Sequence, residues 1–210
     1  MKAAAILYDK PECPFCWRVR MALHRCDGGF QRRAYDAFEH EWSLLTPGNT
    51  VPVLTMSGVT LHDSWVMLEY LHDLHGGLWP EQPDHRAHAR SDALYADRAV
   101  GGPVRDLVFQ RRDRSPAEWD ETVIANAMRQ WHEALPYLEQ RLDGGDYFIE
   151  DAGITDFVLA SRFGLALAYD MPAPRLPGLT GWFDRVSKRS EFLLTAPEVV
   201  KRKLNRGWMS

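Results

Sequence analysis

The first third of the chain alternates between short apolar runs and amphipathic stretches. The apolar run at residues 3–8 ends in a polar turn, which predicts a buried strand. Apolar residues at helical spacing from Phe15 to Cys26, followed by two glycines, predict a helix. Further along, the pattern predicts a strand at 30–35, a short helix at 39–45, a hairpin at 51–56 and 59–61, and a helix capped by Ser64 that ends near residue 76. This order of elements predicts a compact α/β unit.

After residue 76 every long pattern is helical. A proline-rich stretch predicts a linker. Apolar residues at mostly four-residue steps predict a long helix at 119–142, and the almost wholly apolar stretch at 154–168 predicts a helix at the centre of a bundle. The predicted fold class is α/β + all-α, with an α/β domain at 1–76, a linker at 77–84 and an all-helical domain at 85–210.

The composition is that of an ordinary globular protein. Of 210 residues, 45% are hydrophobic and 26% are charged, which excludes a disordered, collagen-like or coiled-coil chain. The net charge of −4 gives no indication of a nucleic-acid partner or of an anionic membrane surface. No apolar run approaches the ~18 residues of a membrane span. Three cysteines are too few for a disulfide framework, so a reducing, cytoplasmic location is expected.

The motif Cys13-Pro14-Phe15-Cys16 follows a predicted strand and opens a predicted helix. Cys13 would be the N-cap, with Pro14 at the first helical position, where its missing N–H costs nothing. The free N–H groups and the positive end of the helix dipole favour the Cys13 thiolate. A thiol with a lowered pKa is both a nucleophile and a good leaving group, and Cys16, one turn further on, is placed to resolve a mixed disulfide.

The cysteines admit two other interpretations. A zinc site needs four ligands, and the nearest candidates, His24 and Cys26, lie at the far end of the same helix, so no metal site is predicted. Cys26 falls on the apolar stripe of that helix and is predicted to be a packing residue. That Cys13 and Cys16 are inert core residues remains an alternative.

Two further motifs suit a peptide ligand. Pro52 at the start of a strand marks a sheet edge or a cis bond, and a cis bond beside Cys13 would present the backbone of Val51 to an extended peptide. Ser64 at the start of a helix can bind a carboxylate, while Asp63 can pair with an ammonium group. Together they suit the free amino-acid end of a ligand. A plain helix cap is the alternative for the second motif.

With these motifs, the N-terminal part resembles the thioredoxin-like domain of cytosolic glutathione transferases. Within that superfamily it is most similar to the omega class, the dehydroascorbate reductases and the two-domain bacterial glutaredoxin. The resemblance continues into the helical half and implies a thioredoxin-like domain followed by a helical bundle, the glutathione transferase fold. It rests on the cysteine motif with Arg18, on Glu41-Trp42, Val51-Pro52-Val53, Asp63-Ser64 and Tyr70-Leu71, and on residues 135–142 and 153–156.

The resemblance implies glutathione as co-substrate, no metal, and a homodimer. The second substrate would be a small disulfide, an electrophile or a glutathionylated protein. The implied roles are that Cys13 faces the glutathione sulfur, Phe15 packs near it, Val51 before a cis-Pro52 pairs with the peptide backbone, and Asp63 and Ser64 hold the γ-glutamyl end.

The chain departs from the family pattern at two places. Where omega-like members have a lysine for the glycyl carboxylate, this chain has Glu39 or, with a one-residue shift, His40. Gly153 replaces the usual serine or threonine before Asp156, and Asp156 is expected to serve folding rather than chemistry.

A second-substrate pocket is predicted against the helical half. Tyr95, Arg98 and Phe109 are the candidates for its wall, although burial in the core is an equal alternative for the two aromatic residues. The remaining basic residues of this region, namely Arg105, Arg111, Arg112 and Arg114, are predicted to lie on solvated helix surfaces.

The leading hypothesis is a glutathione-dependent thiol transferase, since a cysteine occupies the nucleophile position and a second one follows at i+3. The first alternative is a transferase that conjugates glutathione to electrophiles. The second is a non-enzymatic binding or regulatory member of the fold. Glu39 is the feature of the sequence that most favours this second alternative.

Overall fold

The computed structural model describes residues 5–26, 29–35, 46–204 and 206. The N-terminal half forms a four-stranded mixed sheet of β1 (Ala5–Asp9), β2 (Phe30–Ala34), β3 (Val53–Met56) and β4 (Val59–His62). The strand order is β2-β1-β3-β4, and β1 pairs parallel with β2 and antiparallel with β3. This confirms the predicted α/β unit, while the helix predicted at 39–45 lies outside the described residues. Helix α1 (Pro14–Arg25) follows β1, and helix α2 (Ser64–His75) follows β4.

The C-terminal half is helical, as predicted. Helix α6 (Ile154–Ala168) is buried along its whole length, which confirms that an almost wholly apolar helix forms the centre of the bundle. In the described part of the chain, every helix is too short or too polar to cross a bilayer. The elements are α3 (Pro83–Tyr95), a π-helix (Ala96–Val100), α4 (Gly101–Asp113), a 3₁₀ turn (Pro116–Glu118), α5 (Glu121–Leu142), α6 (Ile154–Ala168), α7 (Pro177–Val186), α8 (Ser190–Thr195) and α9 (Glu198–Leu204).

Helix α1 is enclosed on nearly all sides, because it packs against α2 in its own half and against α6 and α8 in the other. Trp17 is fully buried, and its indole donates to the hydroxyl of Thr195 at 3.0 Å. Gly164 makes this approach possible, since a Cβ there would lie 2.4 Å from the Trp17 ring. The predicted apolar stripe is wrong at Phe15, which is 40% exposed, whereas Arg18 is buried.

Asp156 organises the start of α6. Its carboxylate accepts hydrogen bonds from the backbone N–H of Gly153 at 3.0 Å and of Phe148 at 3.1 Å, and from the indole of Trp182 at 2.8 Å. A Cβ on Gly153 would lie 2.6 Å from the carbonyl oxygen of Leu78, which explains why serine or threonine is missing there. These contacts support a folding role for Asp156. The domain boundaries and the homodimer stay predictions.

Candidate active site

The N-terminus of α1 presents the first cysteine of the motif. Cys13 is the N-cap residue, and its Sγ accepts the backbone N–H of Cys16 at 3.4 Å. Pro14 is the first helical residue. The local geometry that the motif predicts is therefore present, because the β1 strand delivers the chain to a helix whose first N–H groups converge on one sulfur.

The environment of Cys13 favours its thiolate. A hydrogen bond from the Cys16 side chain is the largest effect, and the pKa of Cys13 falls from its ordinary 9.0 to about 7 although burial opposes the change. The N–H groups of Cys16 and Phe15 and the positive charge of Arg162 lower this pKa further. At neutral pH a large fraction of the sulfur is thus ionised.

Cys16 has the opposite environment. Its side chain is 0% exposed, and burial together with the neighbouring Cys13 raises the pKa of its thiol well above the usual value. A thiol that stays protonated beside a thiolate is a hydrogen-bond donor. The described geometry therefore favours this donor role for Cys16 over attack on a mixed disulfide.

A cavity of about 840 Å³ lies between the N-terminus of α1 and the π-helix with α4. Cys13, Phe15 and Val51 line it from the first half, and Arg98 and Phe109 line it from the second. Five of the residues predicted from the sequence are thus brought to one cavity. The Val51–Pro52 peptide bond is cis, and Pro52 is buried behind the wall.

Asp63 and Ser64 lie at the start of α2 and are not part of the cavity wall. The predicted cap is wrong by one residue, because Asp63 is the N-cap and its carboxylate accepts the N–H of Trp65 at 2.8 Å. The buried hydroxyl of Ser64 instead accepts from Arg18, with 2.6 Å to Nη2 and 3.2 Å to Nε.

Asp97 on the π-helix joins two buried arginines. Its Oδ2 lies 2.6 Å from Nη1 of Arg18, and its Oδ1 lies 2.8 Å from Nη2 of Arg162. The indole of Trp65 donates to the same carboxylate at 3.2 Å. Burial alone would raise the pKa of Asp97, but the two guanidinium groups outweigh it and the pKa is lowered. Asp97 therefore remains a carboxylate.

The ring of Phe15 lies between the same two cations. The guanidinium carbons of Arg18 and Arg162 are 5.0 Å and 4.6 Å from its centroid. Arg162 comes from the core helix α6, and its side chain is only 5% exposed. A Cβ on Gly101 would approach the guanidinium of Arg162 to 3.1 Å, so this glycine leaves the space that the cation occupies.

Tyr95 does not line the cavity and packs against the hydrophobic core, which is the alternative given for it above. Its hydroxyl donates to the carbonyl of Ala134 at 3.1 Å, and its ring packs on Tyr137 with centroids 4.2 Å apart. A π turn holds one residue more than an α turn and so rotates the faces of the helix between Tyr95 and Phe109. A continuous 3.6-residue period therefore places the tyrosine on the wrong face.

Two of the arginines that were predicted to lie on solvated helix surfaces also line the cavity. Arg105 and Arg112 are exposed, as predicted, but both belong to the cavity wall. His40 and Glu39, the candidates for the glycyl carboxylate, lie outside the described residues. Sequence reasoning missed Asp97 altogether and did not single out Arg162 as a site residue, although a cation inside an almost wholly apolar helix was a visible anomaly.

Comparisons with known proteins agree with the fold and with the resemblance to glutathione transferases. Residues 7–79 match the family model described as "Glutathione S-transferase, N-terminal domain". Glutathione S-transferase U6 of Arabidopsis thaliana is 30% identical over 162 residues, which cover 73% of this chain and 68% of that protein. Maleylacetoacetate isomerase of Dictyostelium discoideum is 23% identical over 220 residues, covering 93% and 91%.

Solved structures of glutathione transferases have the same fold. A glutathione transferase from Pseudomonas putida, solved with one glutathione disulfide bound per subunit, superposes with a TM-score of 0.81 at 16% identity, covering 91% of this chain and 90% of that one. The N-terminal thioredoxin-like sheet and the helical C-terminal half are shared. With its sequence match to the Arabidopsis transferase and this shared architecture, the chain belongs to the glutathione S-transferase family.

Proposed function

We propose that this chain is a glutathione-dependent thiol transferase of the cysteine type, like the omega class and the two-domain bacterial glutaredoxin, with Cys13 as the nucleophile. The observation that carries the proposal is that Cys13 lies at a helix N-terminus on the wall of a cavity of about 840 Å³, where neighbouring groups lower its pKa to about 7. A thiolate that can reach solvent attacks disulfides, whereas a transferase that only polarises a bound thiol needs no nucleophile of its own.

Glutathione is the proposed co-substrate, and the Pseudomonas transferase with bound glutathione disulfide supports it. Val51 on the cavity wall would pair with the peptide backbone, and Phe15 would pack near the sulfur. The hydroxyl of Ser64 already accepts two hydrogen bonds from Arg18, so its own proton is free to donate to the γ-glutamyl carboxylate. Asp63 would face the ammonium group.

The chemistry needs two exchanges. The Cys13 thiolate attacks the glutathionyl sulfur of a mixed disulfide, a bond forms between the two sulfurs, and the second thiolate leaves with the electron pair and takes a proton from water. A free glutathione thiolate then attacks the bound glutathionyl sulfur and releases glutathione disulfide and the Cys13 thiolate. In the net reaction the leaving half of the mixed disulfide is reduced to a thiol, and one glutathione thiol is oxidised as it joins the glutathionyl group of the substrate in glutathione disulfide.

Cys16 acts in this proposal as a positioning residue. Its buried thiol donates to the Cys13 sulfur and stabilises the thiolate both before attack and when Cys13 leaves. Because glutathione rather than Cys16 attacks the intermediate, the proposed mechanism is a monothiol one.

The test is reduction of the mixed disulfide of glutathione and 2-mercaptoethanol, with glutathione as reductant. Cys13→Ser should fall to the uncatalysed rate, and Cys26→Ser is the matched control, because Cys26 lies at the other end of α1 and should leave the rate unchanged. Undiminished turnover by Cys13→Ser would contradict the proposal.

Conjugation of glutathione to electrophiles is the second candidate. It is favoured by the similarity to glutathione S-transferase U6 and by the apolar part of the cavity wall, where Val104, Val108 and Leu165 could hold an uncharged electrophile. An aryl-halide conjugation assay distinguishes it, since that activity would survive in Cys13→Ser while disulfide reduction is lost. A third arm measures isomerisation of maleylacetoacetate, the reaction in the name of the Dictyostelium relative.

A further inference from the structure

The cavity beside Cys13 carries an excess of positive charge. Of the residues that line it, five are basic and two are acidic. The basic ones are Lys10, Arg98, Arg105, Arg112 and Arg162, and the acidic ones are Glu12 and Asp97.

Both acidic side chains are already engaged. The carboxylate of Glu12 accepts the hydroxyl of Tyr169, and that of Asp97 is shared by Arg18 and Arg162. The charge of Asp97 is balanced by the two guanidinium groups, whereas Glu12, whose partner is a neutral hydroxyl, keeps its negative charge and is outnumbered by the basic side chains of the wall. The sign of the field that a ligand meets in the cavity is therefore set by the basic residues.

Arg98 is the cation in the best position to meet a ligand. It is exposed on the cavity wall, and within the described residues it has neither a hydrogen-bond partner nor an ion-pair partner. Arg105 and Arg112 also face the cavity, but each is paired with the aspartate that follows it in the sequence, Asp106 or Asp113.

Apolar side chains separate these cations on the wall. Val104, Val108 and Phe109 lie along α4 between or beside the arginines, and Leu165 faces them from α6. A ligand with a short apolar stem and one anionic end could pack the stem on these side chains and place its charge at Arg98. The cavity thus combines an apolar surface with an unpaired guanidinium, which is the arrangement that binds small carboxylic acids.

We propose that the group exchanged at Cys13 carries a carboxylate, which Arg98 binds, so that the preferred second substrates are disulfides between glutathione and small acidic thiols. The proposal rests on the thiol-transferase function above. In the reaction the acidic thiol is the leaving group, and glutathione supplies the electrons, as in the two exchanges already described.

The test uses three mixed disulfides of glutathione that differ only in the end group of the leaving thiol. They are made with 3-mercaptopropionate, 2-mercaptoethanol and cysteamine, and carry a carboxylate, a hydroxyl and an ammonium group. Each rate is divided by the uncatalysed rate with glutathione. We expect kcat/KM for the carboxylate to exceed that for the ammonium by about tenfold or more, with the hydroxyl between them, since a charged hydrogen bond is lost in the other two.

The variant Arg98→Gln should lower the ratio of the carboxylate rate to the hydroxyl rate by about tenfold. Arg98→Lys, which keeps the positive charge, should retain part of the preference for the carboxylate. Arg114→Gln is the matched control, because Arg114 is exposed at the end of α4 and does not line the cavity, and it should leave the ratio unchanged. In the wild-type protein the same ratio should fall as salt is added, which tests the charge effect without any substitution.

Each outcome bears on one claim. If kcat/KM, relative to the uncatalysed rate, is equal for the three substrates or highest for the ammonium one, the acidic-substrate proposal is overturned. The thiol-transferase function is then unaffected. A ratio that Arg98→Gln does not change overturns the role of Arg98. If the protein turns over none of the three mixed disulfides, the thiol-transferase function itself is contradicted.

Discussion

Nη1 of Arg18 lies 2.6 Å from Oδ2 of Asp97, and this ion pair joins the first helix of the sheet-containing half to the π-helix of the helical half. The side chains are only 2% and 12% exposed. The same carboxylate holds Arg162 from the core of the bundle. One residue of the helical half thus holds the two cations that flank Phe15. The contact between the two halves and the candidate active site therefore share residues.

Removal of Asp97 should be costly for stability. Asp97→Ala leaves two buried guanidinium groups without their partner, and we expect the free energy of unfolding to fall by about 3 kcal/mol or more. Asp106→Ala removes the partner of an exposed arginine and should cost less than about 1 kcal/mol. Urea denaturation of both variants measures the difference, and equal losses would contradict this account of the interface.

The charges of Arg162 and Asp97 should shift the pKa of Cys13 in opposite directions. Arg162→Gln removes a positive charge and should raise the pKa of Cys13, whereas Asp97→Asn removes the compensating negative charge and should lower it. Shifts of a few tenths of a unit to about one unit are expected. The pH dependence of alkylation by iodoacetamide, followed on the Cys13 peptide by mass spectrometry, gives both values. Shifts of the same sign would indicate a structural effect only.

Cys16 should control the same thiolate through its hydrogen bond. Cys16→Ala removes the donor, so the pKa of Cys13 should rise from about 7 toward 9.0 and alkylation at pH 7 should slow. Cys16→Ser keeps a donor of similar size and should preserve most of the wild-type pH profile. If both variants behave alike, the thiol of Cys16 is not the group that lowers this pKa.

Two adjacent helical glycines offer a matched pair. A Cβ on Gly102 meets nothing within 4 Å, so Gly102→Ala should stabilise α4 by about 0.5–1 kcal/mol. A Cβ on Gly101 approaches the guanidinium of Arg162 to 3.1 Å, so Gly101→Ala should lose that gain and displace the cation. The alkylation profile of Cys13 should then move to higher pH in Gly101→Ala alone. Identical profiles would exclude this steric link.

Local patterns were sufficient to predict the helix terminus at Cys13. The cap at Cys13 and the proline after it follow from the preferences of one helix terminus, which involves only neighbouring residues. The buried centre of the bundle was equally predictable, because α6 is apolar on almost every face.

The partners of the arginines could not be found in this way. Arg18 meets Ser64 and Asp97 at separations of 46 and 79 residues, and no local pattern encodes such pairs. The two alternatives for Tyr95 could not be separated, because the π turn that follows it is invisible in a 3.6-residue period. Where a side chain depends on a distant partner or on an irregular turn, periodicity alone does not identify its surroundings.

The most direct test of the central claim is mass spectrometry of the reduced protein after incubation with glutathione disulfide near pH 7. The account predicts one glutathione per chain, attached to Cys13, absent from Cys13→Ser and retained in Cys26→Ser. A wild-type protein that gains no glutathione, or gains it only at Cys26, would contradict the account.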